Sequence, residues 1–320
     1  MTVFKPTVDP DICRLLCVVR TELTDISDLI LVNERFAFFA EKEPRDLQSP
    51  CGCDIIRSKD PPNGRSSADG GPRKEKKMKL IAFDLDGTLT QHKSPLEEGN
   101  RAFLTLLGKE YRLLMVGAGD CGRISSQMGF FPIEILGNYG MQYARVDETG
   151  KLVMIREETV YCDREKVSQT VELLRERFGF TSFRGESALF FPSGCACFPV
   201  LGTEATLEEK LAFDPDRSVR RALLPEIRAA FPEFEVFVGG ASSFDLSPRP
   251  YNKYYALVRF CRENGISFDD VTYVGDDPGE GGNDEPVFRA GVPFVRIDDY
   301  RKLPETLAFL LPASAGANNT

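Results

Sequence analysis

Two acidic stretches, far apart in the chain, each follow an apolar run of β type. FDLDGTLT, Phe83 to Thr90, comes after KLIA, and VGDDPGEGGND, Val274 to Asp284, comes after VTY. In the first, Asp84 and Asp86 stand two residues apart, a spacing that puts both on one face of a strand, and Gly87 lets the chain turn there without a Cβ. In an open parallel sheet the carboxyl ends of the strands are where ligands bind. If the second strand lies beside the first, Asp84, Asp86 and Asp276 converge on one point. Carboxylates held that close repel unless a positive charge sits between them. A hard cation such as Mg²⁺ suits such oxygens, and it usually keeps waters and a substrate phosphate in its shell. The plainer reading of the second stretch is a solvated turn, since Gly, Pro and Asp are turn residues. Glu280 fits that reading as a surface acid, and Asp277 stands between the two.

The elements that must position these acids alternate strand and helix. KLIAFD reads as a short buried strand, LEEGNRAFLTLLGKEY as an amphipathic helix, RLLMVG as a strand, GRISSQMG as a helix start and IEILGN as a third strand. The pattern resumes with the helix NKYYALVRFCREN, the strands VTYVG and PFVRI, and a last helix near YRKLPETLAFLL. Such alternation predicts βαβ units, a parallel sheet and right-handed crossovers. Over 140–245 the character changes. MQYARVDETGKLVMIR reads as a hairpin around Glu148, Thr149 and Gly150, REKVSQTVELLRERF and DRSVRRALLPEIRAAF as helices, and ALFFP, CACFPV, FEVFVGG and ASSFDLS as strands. The fold class is therefore α/β: a Rossmann-like parallel-sheet core over 78–139 and 246–312, interrupted by an inserted α/β cap domain over 140–245. Residues 1–77 read as an amino-terminal extension, largely disordered, with a polar Gly/Pro-rich tract at 58–77. MKLIAFDLDGT, from Met78, would itself be a natural start. Residues 313–320 read as a flexible tail.

Composition narrows the function. The 320 residues carry a net charge of −9, which argues against a nucleic-acid surface and for small-molecule chemistry. With one histidine, His92, and no tryptophan, acid–base work falls to carboxylates and lysines, and a multi-histidine metal site is excluded. Nine cysteines, with CGC and CAC but no zinc spacing, read as reduced thiols of a cytoplasmic protein. The chain has no signal-peptide pattern and no apolar run near the roughly 20 residues that span a bilayer, so no membrane partner is expected.

DLDGT, a downstream lysine at Lys253 and then GD…GGND, in that order, resemble the haloacid dehalogenase superfamily of phosphotransferases. The resemblance implies that Asp84 is the nucleophile that takes the phosphoryl group, that Asp86 is the general acid and base, and that Lys253 neutralises charge between Asp84 and the phosphoryl group. It implies Mg²⁺ as the cofactor, held by Asp84, Asp86, Asp276 and Asp284, with Asn283 beside the substrate.

A closer resemblance runs over 79–311. VGGASSFDLSPRPYNKYYAL, GAGD, GNYG and FRGESALFFPSG are similar to the eukaryotic-type phosphomannomutases, which carry an α/β cap between the second and third core motifs. By that resemblance Ser243 and Asp245 contact the sugar, Arg184 is a cap arginine for phosphate, and Gly119 and Asp120 lie at the phosphate loop after the second strand. Two copies could then pair through the cap. Residue by residue, Ser243 and Asp245 also read as the polar side of a strand, Arg184 as a solvated arginine, and Asp120 as a helix N-cap.

The departures point elsewhere. Gly119 stands where the family has a serine, Cys195 where it has a second cap arginine, and Lys210 near a third. The arginine after the first motif has no match in QHKSPLEE beyond His92 or Lys93. A mutase must grip the phosphate that is not reacting, which Arg does bidentately and Cys cannot. The expectation is a phosphatase acting on a sugar phosphate or similar small phosphomonoester through an aspartyl phosphate. The alternative is phosphomannomutase, and a non-catalytic phosphosugar-binding relative is a further one.

Overall fold

The computed structural model describes residues 79–312. The extension expected at 1–77 and the tail expected at 313–320 lie outside the described residues. The first strand, β1 (Leu80–Phe83), is buried at every position, as a central strand covered on both faces must be. It pairs in parallel with β2 (Arg112–Val116) on one side and β10 (Val271–Gly275) on the other. β3 (Glu134–Gly137) and β11 (Phe294–Arg296) continue the parallel sheet outward.

One face of this sheet is covered by α1 (Glu98–Leu107), α2 (Cys121–Gln127) and α8 (Leu303–Thr306), which contribute Phe103, Leu104, Ile124 and Leu303 to its core. The other face is covered by α6 (Lys253–Asn264) and α7 (Glu285–Arg289), through Leu257, Phe260 and Val287. This is the expected doubly wound α/β core.

The hairpin β4 (Gln142–Val146) and β5 (Leu152–Glu157) corrects one boundary. The sequence pattern puts it in the insertion, but the structure adds it to the core sheet, with β4 antiparallel to β3 and β5 antiparallel to β4. The cause lies in the short connection. Few residues separate β3 from β4, so the chain folds straight back onto the free edge of the sheet and satisfies its backbone groups there. The seven strands run β11-β10-β1-β2-β3-β4-β5.

Beyond the hairpin the chain builds a second sheet, all antiparallel, in the order β6-β7-β9-β8. Its strands are β6 (Leu189–Phe190), β7 (Ala196–Pro199), β8 (Phe234–Gly239) and β9 (Ser243–Pro248), the last running past the expected limit at 245. α3 (Arg164–Phe178) and α5 (Ser218–Ala230) pack on one face, where Val171, Leu224 and Ile227 meet Phe198, Val236 and Phe244. The short α4 (Leu207–Phe213) is fixed by a capping box in which Thr206 and Glu209 satisfy each other's backbone N–H. The opposite face of this sheet is left to roof a cavity over the core. Among the described residues, no helix is long and apolar enough to cross a membrane.

One buried ion pair sets the roof. Arg220 of α5 is fully buried, lies 2.8 Å from Asp214, and donates to the carbonyls of Gly239, Gly240 and Ser243 at the β8–β9 turn. Truncating one partner of such a pair strands a buried charge and costs about 3–5 kcal/mol. Arg220→Ala should therefore lower stability by about 3 kcal/mol or more in urea denaturation. Loss within about 0.5 kcal/mol, the range of an ordinary surface change, would mean that the pair does not set the roof.

Candidate active site

The ladder between β1 and β10 runs one bond past the strand end, the Asp84 N–H donating to the Val274 carbonyl at 2.9 Å. That bond places Asp84 at the carboxyl edge, 5% exposed. Lys253 arrives from the other side as the first residue of α6, whose start is fixed by Asn252 accepting from the Tyr255 N–H. Lys253 is fully buried, and its ammonium has an acceptor for each of its donors. These are Asp84 Oδ1 at 2.6 Å, Asp284 Oδ1 at 2.8 Å and Asn283 Oδ1 at 2.8 Å. Burial alone would lower the lysine's pKa, but Asp284 and Asp84 outweigh it and hold it up, so the ammonium stays charged.

Asp284 is also fully buried, and it accepts from Tyr273 Oη at 2.7 Å and the Asp277 N–H at 3.2 Å. Asp276 sits over Gly87, whose φ of +93° and lack of a Cβ give the carboxylate its room; a Cβ there would lie 2.7 Å from Asp276 Cγ.

One oxygen from each of Asp84, Asp276 and Asp284 lies within 4.8 Å of the others. Lys253 and a more distant Arg217, 3.6 Å from Asp276, do not balance them all. Burial raises Asp84 well above the usual carboxylate range, against Lys253 and with Asp284 and Asp276 adding to the rise. Burial and Asp284 push Asp276 to about 6. An all-carboxylate donor set short of positive charge fits a hard divalent cation such as Mg²⁺.

Asp86 is not part of that cluster. The sequence reading counts its carboxylate with the metal group, but the turn after β1 sends it the other way, toward α2. There it accepts from the Lys93 N–H at 2.8 Å and Gln127 Nε2 at 2.7 Å, and lies 3.4 Å from the Arg123 guanidinium and 3.9 Å from His92 Nδ1. Burial opposes ionisation, yet Arg123 and Gln127 outweigh it and hold Asp86 below its ordinary value. Asp84 and Asp86 therefore flank one mouth with different partners.

That mouth opens into a cavity of about 590 Å³ between the core and the second sheet. Gly119, Asp120, Asn283, Ser243 and Asp245 line it together with Asp84, Asp86 and Asp276. Ser243 and Asp245 face the cavity while Phe244 between them is buried in the cap core; Asp245 accepts from Tyr139 Oη at 3.2 Å. Asp120 serves as the N-cap of α2, taking the Arg123 N–H at 2.8 Å. Arg184 is absent from the cavity wall: it is exposed and pairs with Glu209 of the α4 capping box. Cys195 does line the wall, and burial raises its thiol to about 11.

The cations that do line the cavity are Arg123, Arg217, Lys93 and Lys210. Lys93 and Lys210 stand near family arginine positions, whereas Arg123 and Arg217 were not singled out by type and spacing. Arg217 has a left-handed φ of 61° at the start of α5 and reaches Asp277, with Asp276 at 3.6 Å. Arg221 joins it on Asp277 at 2.5 Å. This resolves Asp277 as an anchor for the cap. In sequence both arginines sit in DPDRSVRR, a charge run no different from a solvated helix face.

Three comparisons with known proteins bear on this geometry. A family model described as eukaryotic phosphomannomutase matches residues 101–293. The phosphomannomutase of Spinacia oleracea is 27% identical over 225 residues, covering 65% of this chain and 86% of that protein. Phosphomannomutase 1 of Homo sapiens is 25% identical over 229 residues, covering 67% and 85%. Among solved structures, an N-terminally truncated, IMP-bound IMP-nucleotidase of Plasmodium falciparum superposes with a TM-score of 0.58 at 14% identity, over 74% of this chain and 68% of that one. That likeness is one of fold.

The acid cluster generates a prediction about metal and pH. Below about 6 Asp276 carries a proton that a cation must displace, so affinity should fall as the solution becomes more acid. By the same sign, the metal-free protein gains an uncompensated charge as pH rises through that value, and Mg²⁺ should raise the melting temperature more at pH ~7.5 than at pH ~5. Asp276→Asn should weaken Mg²⁺ binding about tenfold or more in calorimetric titration. An unchanged affinity would remove Asp276 from the ligand set.

Proposed function

Since the chain belongs to the eukaryotic phosphomannomutase family, an enzyme family with the haloacid dehalogenase fold, we propose that it moves the phosphoryl group of a small sugar phosphate through an aspartyl phosphate on Asp84. On this reading it interconverts mannose 1-phosphate and mannose 6-phosphate. The observation that carries the proposal is the buried Asp84–Lys253 pair at 2.6 Å, with Asp86 held apart on its own donors at the same mouth.

In the first half-reaction an Asp84 oxygen bonds to phosphorus and the ester P–O bond breaks, its electron pair leaving on the sugar oxygen. Asp86 gives that oxygen a proton. In the second half Asp86 takes the proton of an incoming hydroxyl, whose oxygen bonds to phosphorus as the bond to Asp84 breaks. Lys253 favours the ionised form of Asp84 against burial and sets its orientation, while Asn283 and Asp284 fix the lysine. Mg²⁺ on Asp84, Asp276 and Asp284 would supply positive charge against the phosphoryl oxygens. Ser243 and Asp245 face the same space and suit sugar hydroxyls.

The incoming hydroxyl decides between transfer and hydrolysis. Transfer between sugar positions needs a grip on the distal phosphate, and Lys93 from the core and Lys210 from α4 line the cavity for that purpose. Hydrolysis keeps a place because Arg184 is turned to Glu209 and Cys195 occupies the wall where the resemblance puts another arginine.

Incubation with mannose 1-phosphate, Mg²⁺ and a trace of hexose 1,6-bisphosphate, with free phosphate and mannose 6-phosphate measured together, tests the choice. Mannose 6-phosphate should dominate; an excess of free phosphate would replace transfer by hydrolysis. Asp84→Asn should lower turnover by roughly 10³-fold or more while substrate binding survives. Turnover surviving in that variant would remove Asp84 as nucleophile.

A further inference from the structure

Arg123 has no part in the steps above, yet its side chain lies in the cavity wall on the α2 side of Asp84. It is one-third exposed and reaches Asp86 through Nη1 and Nη2 at 3.4 Å, long for a bond between opposite charges. Gln127 Oε1, at 2.9 Å, is its one short side-chain partner. The guanidinium rests over Gly119, where a Cβ would stand 2.5 Å from Nη2 and 2.7 Å from Cζ. Gly119 thus leaves open the space the guanidinium fills.

The other strong cations at this mouth are committed. Lys253 is shared among Asp84, Asp284 and Asn283, and Arg217 is taken up by Asp277 and Asp276. Both lie on the β10 side. His92 is a weak substitute, since burial lowers its pKa and favours the neutral ring. A phosphoryl group on Asp84 spreads charge over its non-bridging oxygens, and those facing α2 need donors.

We propose that Arg123 binds the phosphoryl group at Asp84, its fork of donors taking the oxygens on the α2 side, and that Gly119 is required to make room for it. This rests on Asp84 being the residue that carries the phosphoryl group. The planar guanidinium matches phosphate oxygens bidentately, which Asp86 at 3.4 Å does not ask of it.

The test is a double-mutant cycle. Gly119 is not among the residues with left-handed φ, so alanine is tolerated by the backbone and acts by displacing a flexible side chain. Arg123→Ala should lower kcat/KM for mannose 1-phosphate and weaken inorganic vanadate binding by about 10- to 100-fold each, the range of a charge-assisted contact. The melting temperature should stay unchanged, and Arg123→Lys should recover part of both losses. Gly119→Ala should reproduce the Arg123→Ala losses, and the double variant should be no worse than either. Arg123→Ala that binds vanadate like the wild type, or losses that multiply in the double variant, would overturn the proposal. Absence of turnover by the wild type would instead strike the functional reading, and the vanadate affinities would still decide the place of Arg123.

Discussion

The site depends on one buried ammonium. Lys253 opens α6, where the positive end of the helix dipole disfavours a cation, and it is fully buried, where desolvation disfavours any charge. It is tolerable because two carboxylates and an amide oxygen take all its donors. The dependence is mutual, since burial raises Asp84 and Lys253 is the nearest charge that opposes that rise. Three elements must therefore meet within hydrogen-bonding distance: the end of β1, the loop after β10 and the start of α6. The parallel register Phe83↔Val274 and the next bond along it, from the Asp84 N–H, hold them there.

The loop after β10 works in two directions. Asp276 and Asp284 turn inward to the acid cluster, while Asp277, and Glu285 at the start of α7, turn outward to Arg217, Arg221 and Arg228 of the cap. The Val238 N–H of β8 donates to the Gly281 carbonyl of the same loop at 2.8 Å. Gly281 has a φ of +78°, and a Cβ would meet Leu224 of α5 there, so glycine at this point lets the cap approach. The segment that gathers the carboxylates also sets the height of the cavity roof. Arg217 touches both systems, bonding to Asp277 and standing 3.6 Å from Asp276.

The core and its acids were legible because strand ends, glycines and carboxylates are local signals that topology then gathers. FDLDGT and GD…GGND each announce a strand followed by a turn, and a parallel sheet leaves few ways to arrange them. The hairpin over Gln142–Glu157 was legible as a hairpin but not in its place, because pairing to a free sheet edge is a property of the assembled sheet. Asp86 shows the limit of spacing arguments: period two holds within a strand, and β1 ends at Phe83, one residue before Asp84. Arg217 and Arg123 were invisible for another reason. An arginine in a polar run is almost always solvated, and what makes these two different is a left-handed backbone in one case and the missing Cβ of Gly119 in the other. Arg184 is the converse: a motif drew attention to it, and the nearer carboxylate of Glu209 claimed it.

The cavity wall around Lys93 and Lys210 is where family likeness and local chemistry meet. Lys210 is held below the ordinary lysine value by burial first and by Lys93 second. Lys93 and Lys210 come from different layers, one from the loop after β1 and one from α4, and both line the cavity. The repulsion that Lys93 exerts on Lys210 is removed by an anion entering between them. On the proposed reading a distal phosphate would therefore gain from both charges and relieve the repulsion between them. A lysine pair grips as point charges without the bidentate fit of arginine, so it holds a phosphate while leaving its orientation free. On the proposed reading that freedom suits a ligand that must turn end for end between two half-reactions, so Arg184 turned to Glu209 and Cys195 in the wall are compatible with transfer.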